Sequence, residues 1–398
     1  MARVYVPIAF TRIDRWLIGL LLTIFAAVAA VLWLSQAMVA PPRPRVSASE
    51  RPTIGLALRE DAGTLRVVRA AGPARDAGLR AGDRIAGIDG KSKPTLADVA
   101  DRVAVATDEE SLDVEARRGP AGSGETGVLA EVKVVVRNVT PADSGLPYED
   151  VSFRNADGLV LRGWYLPPPP EGSGRAPAIA YGHGHASDRR QWLGSAVAVH
   201  DAGFAQLLFD FTGRGESDGE VITLGAHEAA DLRSALDALA ARPEVDPLRL
   251  AVGGTGMGAA AAIFLAADDA RVKALVLDSP FAELTQLANR ALAAHHLPAV
   301  LLRPVLFEVA GWRAHYAPAS VRPVDAIRKV KVPILLFYGD KDRLIPIEDA
   351  KALKAAAGGP CTLVPLANAD LDTPRVGSYQ DRIVSFLTQT LPASWRTP

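Results

Sequence analysis

The 398-residue sequence is short of the residues that build several kinds of functional site. A single cysteine, Cys361, excludes an intramolecular disulfide framework and a cysteine-rich zinc site. Lys and Arg total 44 against 45 Asp and Glu, so no excess of positive charge is available to bind nucleic acid phosphates. The seven histidines all lie at or before residue 315. We therefore expect no nucleic acid partner, no metal site and no cofactor.

One long uncharged run stands near the start of the sequence. The residues from Trp16 to Leu34 carry no charge, and as a helix they would span about 28 Å, close to the hydrocarbon thickness of a bilayer. Tryptophans at both ends are typical of interfacial anchors. The sequence predicts a single transmembrane helix within an N-terminal anchor over residues 1–40, followed by a proline-rich stalk over residues 41–50. A cleaved signal peptide is the alternative, with Ser35-Gln36-Ala37 as its cleavage site.

Positive charge does not decide which way this anchor would face. Three arginines precede the run and three follow it, so the comparison of flanking charges is a tie: Arg3, Arg12, Arg15, Arg43, Arg45 and Arg51. A basic leader before a start-proximal anchor favours a cytoplasmic N-terminus. We therefore expect a single-pass membrane protein with the bulk of the chain on the extracytoplasmic side.

Residues 51–140 combine short β-like runs with a compact, glycine-punctuated centre. That centre carries the ordered series Pro73-Ala74, Ala77-Gly78-Leu79, Gly82-Asp83, Ile85, Ile88 and Gly90. The series resembles a PDZ domain of the bacterial type, a small α+β fold. In that family a loop offers backbone N–H groups to the C-terminal carboxylate of a peptide, which adds as a strand beside a helix.

The resemblance implies which residues would hold a peptide. The carboxylate loop would contain Ile54, Gly55 and Leu56, and the flanking helix would present Val99 and Val103. The implied partner is a protein C-terminus or an extended peptide. The alternative is a PDZ fold that serves only as a spacer and binds no peptide.

From residue 146 to 392 apolar strands alternate with helical stretches. This alternation predicts the α/β class, with a mostly parallel, doubly wound sheet covered on both faces. Residues at about 282–322 interrupt the alternation and have helical patterns, so we expect them to form a small helical lid over the carboxyl edge of the sheet.

Four stretches in this region resemble the α/β-hydrolase fold, of the serine aminopeptidase or dienelactone-hydrolase-like kind. They are the oxyanion turn His183-Gly184-His185, the D-x-x-G-x-G-x-S loop from Asp210 to Ser217, the strand end Asp278-Ser279-Pro280-Phe281, and the acid turn Gly339-Asp340-Lys341-Asp342. The resemblance implies an oxyanion site at the N–H groups near His185 and Met257.

The sequence departs from the family at the catalytic triad, whose nucleophile stands in a G-x-S-x-G turn and whose residues follow the order Ser, Asp or Glu, His. Here the register of Gly254 and Gly258 places Gly256 at the nucleophile position. Asp342 is the acid candidate, and Asp370 stands where the histidine is expected.

The triad is therefore degenerate, and three functions remain open. The sequence favours a membrane-anchored PDZ and α/β-hydrolase-fold protein that is catalytically inactive and serves as a binding or scaffolding protein. One alternative is an active esterase or peptidase with an unconventional nucleophile, such as Thr255, or an unconventional base. The other is a receptor that binds a small ligand in the former active-site pocket.

Overall fold

The computed structural model describes most of the chain after residue 50 and a short helical segment before it. The described residues are 29, 31–40, 51–53, 56–61, 64–70, 72–95, 98–99, 102, 111–118, 126–133, 135–137, 140–170, 174–370, 373 and 378–392. The predicted stalk and most of the predicted anchor lie outside them. Within these ranges no helix is both long and apolar enough to cross a membrane.

The first folded unit is built from short antiparallel strands. Residues 31–39 form helix α1 ahead of it. The strands and one short helix of the unit are β1 (Arg51–Thr53), β2 (Leu56–Asp61), β3 (Thr64–Ala70), α2 (Gly72–Asp76), β4 (Arg84–Ile88), β5 (Lys91–Ser92), β6 (Ser111–Arg118), β7 (Thr126–Lys133) and β8 (Val135–Arg137). The main sheet has the order β2-β3-β4-β6-β7, with β5 paired to β4, and β1 pairs with β8 in a separate two-stranded sheet.

Alternation along β6 explains how this small sheet covers a core. Leu112, Val114 and Ala116 are buried while their neighbours in β6 are exposed or half-exposed, the period of a strand with one covered face. The turn before β4 is fixed by Asp83, whose buried carboxylate accepts two hydrogen bonds from Arg118, each 2.7 Å long. This contact ties the glycine-rich centre of the unit to the end of β6.

The second unit contains an eight-stranded sheet. Its strands are β9 (Glu149–Arg154), β10 (Val160–Leu166), β11 (Ala176–Gly182), β12 (Ala205–Phe209), β13 (Val245–Thr255), β14 (Val272–Asp278), β15 (Ile334–Gly339) and β16 (Cys361–Leu366). Their order is β16-β15-β14-β13-β11-β12-β10-β9. All neighbouring pairs among strands β11 to β16 are parallel. Strand β10 is antiparallel to both of its neighbours, β12 and β9. The predicted mostly parallel sheet is therefore present.

Helices cover both faces of this sheet. They are α3 (Leu193–Asp201), α4 (Glu228–Ala240), α5 (Met257–Asp268), α6 (Leu284–Ala294), α7 (Ala299–Ala314), α8 (Pro323–Ala326), α9 (Ile347–Ala356) and α10 (Ser378–Thr390). One apolar cluster joins the sheet to α4, α5 and α9, and another joins its opposite face to α3 and α10. Every residue of β11 is buried, as expected for a parallel strand with both faces covered. Within the range predicted as a lid, the structure places α6 and α7.

The order of the strands creates a crevice at one point of the sheet. The chain runs from β11 outward to β12, and then returns to the other side of β11 with β13. Loops that leave β11 and β13 therefore diverge at their carboxyl ends, which is where ligands bind in open α/β sheets. These two ends carry the oxyanion turn and the predicted nucleophile turn.

Candidate functional site

Gly256 lies at the apex of a sharp turn between β13 and α5. Its φ is 52° and its ψ is −108°, and its N–H donates a 2.8 Å hydrogen bond to the Asp278 carbonyl oxygen. This positive φ is the strained strand-to-helix conformation that lifts a nucleophile in α/β-hydrolases. A Cβ added at Gly256 would meet nothing within 4 Å. The turn has the shape for a catalytic side chain and space for one, but glycine supplies none.

The flanking glycines permit this turn because their neighbours leave no room for a side chain. A Cβ on Gly254 would collide with the backbone of Gly258, and one on Gly258 would collide with the carbonyl group of Gly182. The start of α5 therefore approaches β11 and β13 at backbone contact distance. This close approach is the physical reason for small residues two positions before and after the apex.

The oxyanion turn after β11 is held by a buried, neutral histidine. Phe211 N–H donates to His183 Nε2 at 3.1 Å, so Nδ1 carries the ring proton and donates to the Gly184 carbonyl oxygen at 2.8 Å. Complete burial lowers the pKa of His183 to about 4, a shift that the hydrogen bond to Gly184 only partly offsets. His183 therefore joins the oxyanion turn to the 210–219 loop without titrating at neutral pH.

This burial predicts a stability change with pH. An unfolded histidine takes up a proton near pH 6.5, whereas folded His183 resists protonation until about pH 4. The contribution of neutral His183 to the free energy of unfolding is thus fully present above pH 6.5. It is lost as the pH falls from 6.5 to about 4, by at most about 3 kcal/mol in total. His183→Gln keeps an acceptor for Phe211 and lacks this dependence. We expect the difference in free energy of unfolding between wild type and variant to shrink from pH 7 to pH 4, as measured by urea titration, and a constant difference would contradict the assignment.

The Gly184 N–H is already engaged within the turn. It donates to Gln191 Oε1 at 2.6 Å. An oxyanion would thus rely on other N–H groups of this turn and of the start of α5, where the sequence placed His185 and Met257. Met257 is the first residue of α5 and is buried. The involvement of Gln191 carried no signal in the sequence, because nothing local pairs a glutamine with a turn seven residues before it.

The D-x-x-G-x-G-x-S loop is a buried ionic and hydrogen-bonded network. The Asp210 carboxylate accepts from the N–H groups of Arg189 at 2.8 Å and Glu216 at 3.1 Å. Arg189 in turn pairs with Glu216 at 2.6 Å, and Gly215 leaves the space that the Asp210 carboxylate fills. Burial raises the pKa of Asp210, while the charge and N–H of Arg189 oppose that rise. The residues of this motif hold the loop rather than react.

The two acidic positions lie on adjoining loops after β15 and β16. Asp342 is buried, and its Oδ1 accepts from Leu344 N–H at 2.9 Å and Ile345 N–H at 2.7 Å. Asp370 is exposed, and its Oδ1 accepts from the Thr373 hydroxyl at 2.7 Å. The two loops are joined by a 2.8 Å hydrogen bond, which the N–H of the residue before Asp342 donates to the carbonyl oxygen of the residue before Asp370. Within the described part of the chain, no cluster of three or more His, Cys, Asp or Glu residues fits a metal ion.

The carboxyl end of α1 lies across the oxyanion turn, which the sequence did not predict. His185 Nε2 lies 3.0 Å from the Ala37 carbonyl oxygen, and Ile222 N–H donates to the Val39 carbonyl oxygen at 2.7 Å. Burial lowers the pKa of His185, so a neutral ring that donates its Nε2 proton to Ala37 fits this contact. Val39 is fully buried against Ala310 of α7. The oxyanion turn and helix α7 are thus both contacted by the segment that follows the apolar run.

Part of the predicted peptide site lies in the described residues of the small unit. Leu56 begins β2, which forms an edge of the main sheet, and packs against the cluster that contains Val99. The structure therefore brings these two predicted residues to one core. Ile54, Gly55 and Val103 lie outside the described residues.

Comparison with known families assigns both units. Residues 64–118 match the family model described as a PDZ domain, and residues 176–320 match the model described as serine aminopeptidase, S33. These matches confirm the predicted PDZ domain and the predicted α/β-hydrolase-like domain.

Individual proteins and one solved structure are also similar to this chain. The chain is 35% identical over 256 residues to the uncharacterized protein Rv2307c of Mycobacterium tuberculosis, a match that covers 63% of this chain and 84% of that protein. It is 27% identical over 238 residues to the alpha/beta hydrolase domain-containing protein WAV2 of Arabidopsis thaliana, covering 57% and 73%. A solved esterase of Pyrococcus furiosus shares the fold, with a TM-score of 0.53 at 24% identity over 65% of this chain and 96% of that one. The chain belongs to the same family as Rv2307c, and joins a PDZ domain to an α/β-hydrolase-fold domain.

Proposed function

We propose that this chain is a membrane-tethered binding or scaffolding protein whose α/β-hydrolase domain is catalytically inactive. The observation that carries the proposal is Gly256, which occupies the apex of a nucleophile turn with the strained φ of 52°. Covalent catalysis of the family type needs a side-chain oxygen or sulfur at this apex. A glycine there removes the nucleophile and leaves the turn.

The position of the missing base supports the same conclusion. Asp370 stands on the loop after β16, where the family has its histidine. An aspartate is a weak base toward an alcohol and lacks the two ring nitrogens with which imidazole relays a proton. Of the histidines present, His183 is buried and its pKa is lowered to about 4, and its two ring nitrogens are engaged within the fold. It is therefore committed to holding the oxyanion turn.

The test is a direct search for hydrolase chemistry in the purified full-length chain. We expect no labelling by a fluorescent fluorophosphonate and no hydrolysis of short-chain nitrophenyl esters above the level of a Thr255→Val variant. Thr255 is buried at the end of β13 beside the apex, so this variant also controls for the alternative nucleophile. Robust turnover would overturn the proposal, and turnover lost in Thr255→Val would assign activity to that threonine.

For the PDZ domain we propose recognition of a peptide with a free C-terminus. The support is β2 (Leu56–Asp61), which stands at an edge of the main sheet and could accept an added strand. A library of peptides with free C-termini, screened against the full chain, is expected to yield binders. Each binder is then compared with its C-terminally amidated form, which removes the carboxylate. Equal affinity of both forms, or no binder at all, would favour the spacer role.

For the N-terminal region we propose a single-pass anchor that leaves the bulk of the chain extracytoplasmic. The support is the uncharged run from Trp16 to Leu34 and the basic residues that precede it. The protein is then expected to stay in the membrane after carbonate washing, and an alkaline phosphatase fused at the C-terminus is expected to be active. Release by carbonate would argue against the anchor, and an inactive but intact fusion would reverse the orientation.

A further inference from the structure

The lid helix α7 is apolar on two opposite sides. Its inner side contributes buried residues to the domain core, among them Phe307 and Ala310. Its outer side exposes Leu301, Val305 and Trp312, with Trp312 78% exposed. At 100° per residue these three lie within about 40° of one another around the helix axis. A surface helix normally pairs one apolar stripe with a polar face, so this outer stripe needs an apolar neighbour of its own.

Helix α1 is clamped to α7 beside this stripe. Val39 packs on Ala310 of α7, and Gln36 Oε1 accepts a hydrogen bond from Arg313 Nη2 at 2.5 Å. Trp33 lies one turn before Gln36, and Trp312 directly precedes Arg313. Both tryptophans are exposed, Trp33 by 64%. The exposed apolar side chains of α1 and α7 therefore lie close to the contact between Gln36 and Arg313.

The course of the chain identifies a bilayer as the apolar neighbour. The first four residues of α1, from Val31 to Leu34, are the last of the uncharged run that begins at Trp16, so the clamp holds α7 within a few residues of the segment that would enter lipid. Exposed tryptophans are enriched at the membrane interface. At 100° per residue Glu308, which is exposed, lies within about 60° of the three residues of the outer stripe, whereas Arg303 lies on the opposite side and donates to Asn289 Oδ1 at 3.1 Å, so the outer stripe is apolar with one acidic residue at its edge.

We propose that α1 and α7 form a lipid-docking face, defined by Leu32, Trp33, Leu301, Val305 and Trp312, that lies in the bilayer interface. The face would hold helix α7, and the oxyanion turn that the end of α1 contacts, against the membrane surface. This proposal rests on the proposed N-terminal tether and is independent of whether the domain catalyses a reaction.

The test places an environment-sensitive probe on the face in the full-length chain. In a Cys361→Ser background, Val305→Cys is labelled with a nitrobenzoxadiazole dye and the protein is reconstituted into phosphatidylcholine and phosphatidylglycerol vesicles. We expect a several-fold rise in emission, a shift to shorter wavelength, and quenching by nitroxide-labelled lipids. The matched control is Leu248→Cys. Leu248 is also an exposed apolar residue, at 74%, but it lies near the start of β13. It is separated by about 23 Å, measured along the strand, from the end of β13 that precedes the apex. Its dye should remain water-like and unquenched.

Flotation of the same vesicles separates the two proposals. If the protein floats but the dye at position 305 emits as it does in water, the proposed docking face is wrong and the proposed N-terminal anchor is supported. If the protein does not float, both are wrong. A dye that is shielded but not quenched by lipid nitroxides, with energy transfer between labelled chains, would assign the face to a second copy and overturn the lipid proposal.

Discussion

Gly258→Ala is expected to destabilise the hydrolase-fold domain by about 3 kcal/mol or more. The added methyl group would collide with the carbonyl groups of Gly182 and His183, which are backbone atoms at the end of β11. A flexible side chain could move away, but here relief requires α5 to shift as a whole relative to the sheet. The effect is measured as the change in free energy of unfolding from a denaturant titration of the full-length protein.

Gly194→Ala is the matched control for this substitution. Gly194 is the second residue of α3, as Gly258 is the second residue of α5, but a Cβ at Gly194 would meet nothing within 4 Å. The control should be neutral or stabilising by up to about 1 kcal/mol, because alanine is the better helix former. Similar effects at the two positions would show that the close approach of α5 to β11 is not what requires glycine.

The sequence was informative where the fold repeats a local pattern. The fully apolar β11 and the alternation in β6 follow from the burial of both faces or of one face of a strand, so their periodicity could be read directly. The register of the apex was readable as well, since Gly254 and Gly258 bracket it. In each case the physical cause lies within a few residues of the signal.

The cover over the oxyanion turn could not be predicted, because its cause is not local. The contact between Ala37 and His185 joins residues 148 positions apart, and neither residue carries a pattern that selects the other. The same holds for the contact between His183 and Phe211, which are 28 positions apart. Such pairs are set by how α1, the sheet and α7 pack, which the sequence specifies only through the complete fold.

The structure shows that a glycine at the apex is compatible with the packing of the fold. Asp210, His183 and Gly258 each meet a partner inside the domain, so their replacement would disturb the loops around the crevice. A Cβ added at Gly256 would meet nothing within 4 Å. Glycine is moreover the residue best suited to the positive φ at that position. If the domain is inactive, as we propose, glycine at position 256 costs the fold no packing and avoids the strain that another residue would have at this positive φ.

Restoring the side chains at positions 256 and 370 is expected to change reactivity by orders of magnitude. Gly256→Ser fits the open space at the apex at a strain of about 1–3 kcal/mol from its positive φ. Alone it should react slowly with a fluorophosphonate, because no imidazole activates the hydroxyl. Adding Asp370→His supplies a base on the loop that is joined to the loop of Asp342. General base catalysis then predicts labelling about 10²-fold faster in the double variant than in Gly256→Ser.

A third substitution separates a working triad from a nonspecific gain. Asp342→Asn keeps an oxygen to accept the N–H groups of Leu344 and Ile345, but removes the charge that would orient and stabilise an imidazolium at position 370. It should abolish most of the gain in the double variant and leave the slow labelling of Gly256→Ser unchanged. The measurement is the second-order labelling rate of four variants, Gly256→Ser and the double variant, each with and without Asp342→Asn, all checked for folding by circular dichroism. If the double variant is labelled no faster than Gly256→Ser, a histidine at position 370 does not reach the apex. The chain would then have the backbone of a nucleophile turn without a position for its base.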